Sequence, residues 1–232
     1  MKVIVRDTYD AMSKAAFDLF RDKFDYSHVF GFAAGKTPIG LYRLMVEAYR
    51  AKELKFDGKV TFNLDEYYPI SPKDNDSFRR FMDMRLFRRV DIDADNIRFP
   101  DAQLPEGRAV ASYMGLYMRD GPVDFQVVGI GENGHIGFNE PGSAIDLPIR
   151  IVRLSEETMK ANGTAIDRAI TMGVKEIMQS RTIILLASGG RKSEAVKKAI
   201  EGEVSSDVPA SFLQLHRDTT FVLDREAAKL LS

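Results

Sequence analysis

The sequence predicts a single-domain α/β protein with a mostly parallel sheet, on three observations. Short β-rich runs alternate with segments of helical period along the chain. Two of those runs, Phe125–Ile130 and Thr182–Ala187, are apolar throughout, as strands buried on both faces of a parallel sheet are. No internal repeat, low-complexity tract or linker-like stretch divides the 232 residues, so residues 1–232 read as one domain.

Taken in order, the strand candidates are Val3–Val5, Val29–Ala33, Val60–Leu64, Asn96–Phe99, Phe125–Ile130, Ile149–Leu154, Thr182–Ala187 and Thr220–Leu223. The first helix, Tyr9–Phe24, follows the capping candidates Asp7 and Thr8 and carries apolar residues at positions 12, 16, 17 and 20. Pro38–Lys52 opens on a proline, which suits a first helical position. Ser77–Arg89, Glu106–Arg119, Ile166–Gln179 and Arg191–Glu201 complete the helical set. Right-handed crossovers between parallel strands then give a Rossmann-like, three-layer α/β/α arrangement.

Composition narrows the chemistry. With 44% hydrophobic and 29% charged residues, the chain is expected to be an ordinary soluble globular protein. Its net charge of −1 provides no global field for nucleic acid or an anionic membrane, so neither is expected as a partner. The absence of Cys removes disulfides, thiolate nucleophiles and Cys-type metal sites together. Histidine occurs only at positions 28, 135 and 216, too few for a multi-histidine metal site. The N-terminus turns acidic too soon for a signal peptide, and no apolar run approaches the roughly 20 residues that span a bilayer. A cytoplasmic setting without metal is the expectation.

In a parallel sheet, ligands bind outside the carboxyl ends of the strands. Four unusual segments follow strand candidates and should gather there: Ala34–Pro38, Asp65–Tyr68, Gly131–Gly142 and Ser188–Lys192. Within the third, Gly129-Ile130-Gly131-Glu132-Asn133-Gly134 matches the dinucleotide pattern G-x-G-x-x-G. That mechanism needs a helix to follow. Here Gly137, Pro141, Gly142 and Pro148 follow instead, so a nicotinamide or flavin site is rejected.

Gly35-Lys36-Thr37-Pro38 joins a strand to a helix, and its backbone N–H groups, hydroxyl and cation suit a phosphate. Ser188-Gly189-Gly190-Arg191-Lys192 repeats the design. Either loop alone reads equally well as a tight turn with a solvated lysine; two on one edge favour one phosphate-bearing ligand. Asp65-Glu66 is either a solvated strand end or a base with a supporting acid, and strand alternation lets only one of the pair face a site. His135, with Glu140 five residues on, is either a backbone-bonded loop histidine or an imidazole tuned for proton transfer. Its setting among Gly, Asn and Glu favours the second. His28 and His216 read as surface or structural residues. These parts suit proton transfer next to a carbonyl on a small phosphorylated substrate, as in aldose–ketose isomerisation.

Leu64-Asp65-Glu66-Tyr67 and the run Gly129-Ile130-Gly131-Glu132-Asn133-Gly134-His135-Ile136-Gly137-Phe138-Asn139-Glu140-Pro141-Gly142 resemble the motifs of glucosamine-6-phosphate deaminases. The likeness extends to Ala33–Pro38, Ala169–Gly173 and Pro209–Ser211. It implies a cofactor-free conversion of glucosamine 6-phosphate and water to fructose 6-phosphate and ammonia. Carried over by position, Asp65 is the base that moves a proton between C2 and C1, and His135, paired with Glu140 and supported by Asn133, opens the ring. Gly35, Thr37 and Lys192 match phosphate-contacting loops, with Lys36, Glu66 and Gly134 as further substrate-binding candidates.

The departures are specific. Ala34 and Lys36 replace small hydroxyl or glycine positions, and a buried Lys36 would add charge at the phosphate or reshape the pocket. Ala161–Ile166 lacks the arginine of the family's Ala-Asn-Ser-Arg-Phe-Phe lid, which Lys36 or Arg168 would replace. Leu147-Pro148-Ile149 replaces a Ser-Arg/Gln-Thr triplet, and the end at Ser232 predicts no activation by N-acetylglucosamine 6-phosphate. The short lid and Pro209–Leu213 also resemble the galactosamine-6-phosphate branch. More distant alternatives are a 6-phosphogluconolactonase and a sugar-phosphate sensor; the latter normally carries a DNA-binding segment for which this N-terminus leaves no room. Oligomeric state is left open.

Overall fold

The structure, a computed structural model, describes residues 1–232. In chain order its elements are β1 (Lys2–Arg6), α1 (Tyr9–Phe24), β2 (Val29–Phe32), α2 (Ile39–Arg50), β3 (Val60–Asn63), β4 (Asp65–Tyr67), α3 (Phe78–Arg85), β5 (Ile97–Arg98), α4 (Glu106–Asp120), β6 (Phe125–Gly129), β7 (Arg150–Arg153), α5 (Glu156–Asn162), β8 (Arg168–Thr171), α6 (Val174–Met178), β9 (Thr182–Ala187), α7 (Ser193–Glu201) and β10 (Thr219–Asp224). Seven strands pair in the order β1-β10-β9-β6-β2-β3-β5, all parallel. Strands β4, β8 and β7 form a second, antiparallel sheet with β8 at its centre.

The alternation of side chains along the central strands divides the interior into two apolar layers. On one face Phe30, Phe32, Phe125 and Val127 meet α1 and α2; on the other Val128, Ile183, Leu185 and Phe221 meet Tyr113, Val196 and Ala199. Phe20 of α1 is the hub of the first layer, with its ring 5.2 Å from Phe30 and 5.7 Å from Phe125. Thr8 caps α1, accepting from the Ala11 amide, as its position before the helical run predicts. No helix is long and apolar enough to cross a membrane.

Two expectations need correction. Ile166–Gln179 is not one helix but the strand β8 followed by the short α6. Ile170, Val174 and Ile177 keep helical spacing, yet Arg168–Thr171 pairs with β4 on one side and β7 on the other, so ladder hydrogen bonds override the period. Ile149–Leu154 contributes β7 to the second sheet rather than to the parallel one. Two elements were not foreseen, β4 and α5, each too short to show a period. The segment after β6 up to Leu147 holds no helix, in keeping with the rejected dinucleotide site.

Replacing Phe20, fully buried among five other phenylalanine rings, by Ala is expected to cost about 3–5 kcal/mol. Urea unfolding followed by circular dichroism measures it.

Candidate active site

At Leu64 the chain passes from one sheet to the other. The Leu64 N–H donates to the Phe32 carbonyl at 3.0 Å, and the Leu64 carbonyl accepts from the Met172 N–H at 2.7 Å. Asp65 therefore lies just past the carboxyl edge of the parallel sheet, on the wall of a cavity of about 450 Å³. Asp65 is 6% exposed. Burial first, and the neighbouring Glu66 carboxylate second, push it up to about 8.

Glu66 points the other way, as alternation requires. Its carboxylate accepts from Ser77 Oγ at 2.8 Å and from the N–H groups of Phe78, Arg79 and Tyr67, each at 2.9 Å. It thereby caps the N-terminus of α3 and lies off the cavity, which corrects its expected contact with substrate. The cap has a consequence inside the site. It fixes Phe78, whose ring centroid lies 4.6 Å from Tyr67 and 5.9 Å from Phe138, and these three rings make an aromatic wall of the cavity.

His135 closes the cavity over Gly131. A Cβ at residue 131 would fall 2.3 Å from the imidazole, so the ring's position requires glycine there. Asn133 Nδ2 donates to Glu140 Oε2 at 2.7 Å, which turns Asn133 Oδ1 toward His135 Nδ1 at 2.8 Å. An acceptor at that distance places the imidazole proton on Nδ1 and leaves Nε2 with a free lone pair. Glu140 itself lies behind Asn133, 3.7 Å from Nδ1. Burial works to raise its carboxyl, but hydrogen bonds from His135, Thr158 and Asn133 outweigh that and hold it down at about 2. Its other oxygen accepts from Ser155 Oγ at 3.2 Å, at the start of α5. Gly137, at φ +56°, brings the following turn against Thr171 Oγ1 and Asp65, where a Cβ would sit 2.9 Å from the hydroxyl.

The two glycine-bearing loops line the same cavity. The N–H groups of Gly35, Lys36 and Thr37 donate to no backbone acceptor, and the loop turns at Gly35 with φ +110°. Lys36 is exposed rather than buried. Across from it Arg191 pairs with Glu132 at 3.3 Å, which leaves the Lys192 ammonium without an ion-pair partner. Burial lowers the Lys192 pKa, countered by Glu132. An anion entering between the loops would meet free amides and a partly desolvated cation. No group of three or more His, Cys, Asp or Glu is placed to hold a metal ion.

Comparison with known proteins places this arrangement. Residues 26–222 match the family model described as glucosamine-6-phosphate isomerases/6-phosphogluconolactonase. The chain belongs to that family. A glucosamine-6-phosphate deaminase of Clostridium acetobutylicum is 39% identical over 100% of both chains, and the glucosamine-6-phosphate deaminase 2 of Bacillus subtilis is 40% identical over 100% of this chain and 98% of its own. The solved structure of a monomeric glucosamine-6-phosphate deaminase superposes with a TM-score of 0.96 at 38% identity, covering 99% of this chain and 100% of that one. A 6-phosphogluconolactonase from Trypanosoma brucei shares the fold, with a TM-score of 0.82 at 20% identity over 100% of this chain and 98% of its own.

Within this glucosamine-6-phosphate isomerase/6-phosphogluconolactonase fold, the structure gathers Asp65, His135, Asn133, Gly35, Lys36, Thr37 and Lys192 around one cavity. It leaves two more expected residues outside. The Arg168 guanidinium pairs with Glu106 and lies 5.1 Å over the Tyr68 ring, drawn there by a carboxylate and an aromatic face, so it does not replace the missing lid arginine. Gly134, at φ +90°, is buried against Val208, and its carbonyl accepts from the Ala210 N–H. Tyr9, Tyr67, Phe78 and the α5 residues Thr158 and Asn162 line the cavity without having been singled out. The aromatic pattern Tyr67, Phe78, Phe138 was available in the sequence, but only the cap by Glu66 brings Phe78 to the other two.

Substituting Asp65→Asn in this family member is expected to raise Tm, by an amount that depends on pH. The folded carboxyl titrates near 8 and the unfolded one near 3.8. Between those values folding takes up a proton, so stability falls as pH rises. Asn removes that dependence. The gain should grow from about pH 4 to about pH 8 and level off above. Thermal melts across that range check it, and a gain independent of pH would contradict the assignment.

Proposed function

We propose that this enzyme converts glucosamine 6-phosphate and water to fructose 6-phosphate and ammonia. The observation that carries the reading is one cavity shared by Asp65, with its raised pKa, by an imidazole with a fixed tautomer, and by two anion-seeking loops. Full-length relatives that carry the name glucosamine-6-phosphate deaminase support it.

In this reading the phosphate lies between Gly35–Thr37 and Lys192, which fixes the sugar's far end and leaves C1 and C2 toward Asp65 and His135. His135 Nε2 takes the proton of the anomeric hydroxyl and delivers it to the ring oxygen. The bond from C1 to that oxygen breaks, and C1 becomes an aldehyde. Asp65 then removes the C2 proton; the electron pair forms the C1–C2 double bond while the carbonyl π pair moves onto O1, which takes a proton from the C2 ammonium, and an enolamine results. The same proton returns to C1, which leaves an iminium at C2. Water adds there and ammonia departs. A base with a pKa near 8 is well matched to a weakly acidic C–H at neutral pH. Asn133 and Glu140 keep His135 from turning, and the aromatic wall shields the enolamine from water.

The direct test incubates the protein with glucosamine 6-phosphate and with galactosamine 6-phosphate and follows ammonia and ketose phosphate. Equal amounts of ammonia and fructose 6-phosphate from the first are expected. Tight sugar-phosphate binding with no turnover of either would overturn the reading. Asp65→Asn is expected to lower kcat by about 10² to 10⁴-fold while substrate still binds. Because only ionised Asp65 is a base, kcat/KM of the wild type should climb as pH rises toward about 8. His135→Gln should slow the closed-ring substrate more than an open-chain analogue, and equal losses on both would remove it from ring opening.

A further inference from the structure

We infer that Tyr9 is a positioning residue for phosphate binding, acting through the loop Gly35–Thr37; this rests on the reading of that loop as the phosphate subsite. Helix α2 begins at Ile39 behind Pro38, which offers no side chain to cap it. The cap comes instead from α1. The Gly40 N–H donates to Tyr9 Oη at 2.8 Å, and the hydroxyl faces the carbonyls of Thr37 at 3.1 Å and Lys36 at 3.3 Å. One hydroxyl thus accepts from the helix and donates to the loop.

The orientation of the loop follows. A trans peptide unit points its C=O and N–H in opposite directions. Holding the Lys36 carbonyl at Tyr9 turns the Thr37 N–H away from α1, where it has no backbone acceptor and is free for a ligand. Ile39 N–H bonds to the same Lys36 carbonyl at 3.3 Å, so the loop and the first turn of α2 are set as one unit. Gly40 lets α1 approach closely enough for this: a Cβ there would fall 2.2 Å from Ser13 Oγ and 3.2 Å from the Tyr9 ring. The second loop is held in the same manner by a different group, since the Asp224 carboxylate accepts from Gly189 N at 3.0 Å and Ser188 Oγ at 2.5 Å. Tyr9 does for the first loop what Asp224 does for the second.

The test compares the wild type with Tyr9→Phe, which keeps the ring and removes only the hydroxyl. Steady-state kinetics on glucosamine 6-phosphate and titration with inorganic phosphate are both measured at low temperature, below any shifted unfolding transition. The loss of one neutral hydrogen bond predicts KM and the phosphate Kd raised together, about three- to tenfold, with kcat nearly unchanged. Tyr117→Phe is the control, because its hydroxyl donates to the Glu176 carbonyl at 3.0 Å far from the cavity; it should lower Tm and leave KM and Kd alone. If Tyr9→Phe matches the wild type in KM and phosphate Kd, or loses kcat at constant KM, the positioning role is wrong. If the wild type neither turns over glucosamine 6-phosphate nor binds phosphate, the functional reading falls, and this inference with it.

Discussion

The site depends on one residue's backbone serving two sheets. Leu64 closes the parallel ladder with its N–H and opens the antiparallel one with its carbonyl. Everything the cavity needs is referenced to that crossing. Asp65 is carried past the sheet edge, Thr171 is brought opposite it in register, and Gly137 packs its turn between the two. A continuous β3 would have kept Asp65 within the parallel ladder, facing one of the two apolar layers. A loop in place of β4 would have left it solvated. The short antiparallel pairing holds a carboxylate on the cavity wall with most of its surface covered.

The two adjacent carboxylates show how local hydrogen bonding divides labour. Asp65 is buried, and no hydrogen bond opposes the push on its pKa. Glu66 is buried and also raised, yet four donors work against that rise. One faces the cavity and the other holds a helix. The held helix returns the benefit, because Phe78 at its start completes the apolar wall beside Asp65. Glu140 and Lys192 repeat the contrast on the far side, one acid stabilised in its charged form and one cation weakened by burial.

Much of this was legible in the sequence, for reasons that particular residues make plain. The parallel strands announced themselves because Phe125–Ile130 and Thr182–Ala187 are apolar on both faces. Alternation predicted that only one of Asp65 and Glu66 would face the cavity. What alternation could not tell is where the other goes, because the donors on Ser77, Phe78 and Arg79 lie eleven or more residues away in the chain. Arg168 was misplaced for a related reason. Charge alone suggested an anion, while its actual partner, Glu106, is remote in sequence. Tyr9 carries no motif at all; its part is visible only once α1 and α2 lie side by side. The family resemblance supplied the roles of residues, and the structure supplied the support beneath them.

The shared acceptor at Glu140 links two events that sit apart in the fold. One of its oxygens completes the chain from His135 through Asn133, and the other receives the hydroxyl and, at 3.4 Å, the N–H of Ser155 at the head of α5. Swinging α5 outward would strip the carboxylate of those donors and raise its proton affinity. By thermodynamic reciprocity, any proton placed on Glu140 must loosen α5 by the same free energy. The seating of α5 and the charge behind the imidazole are therefore thermodynamically coupled through one carboxylate.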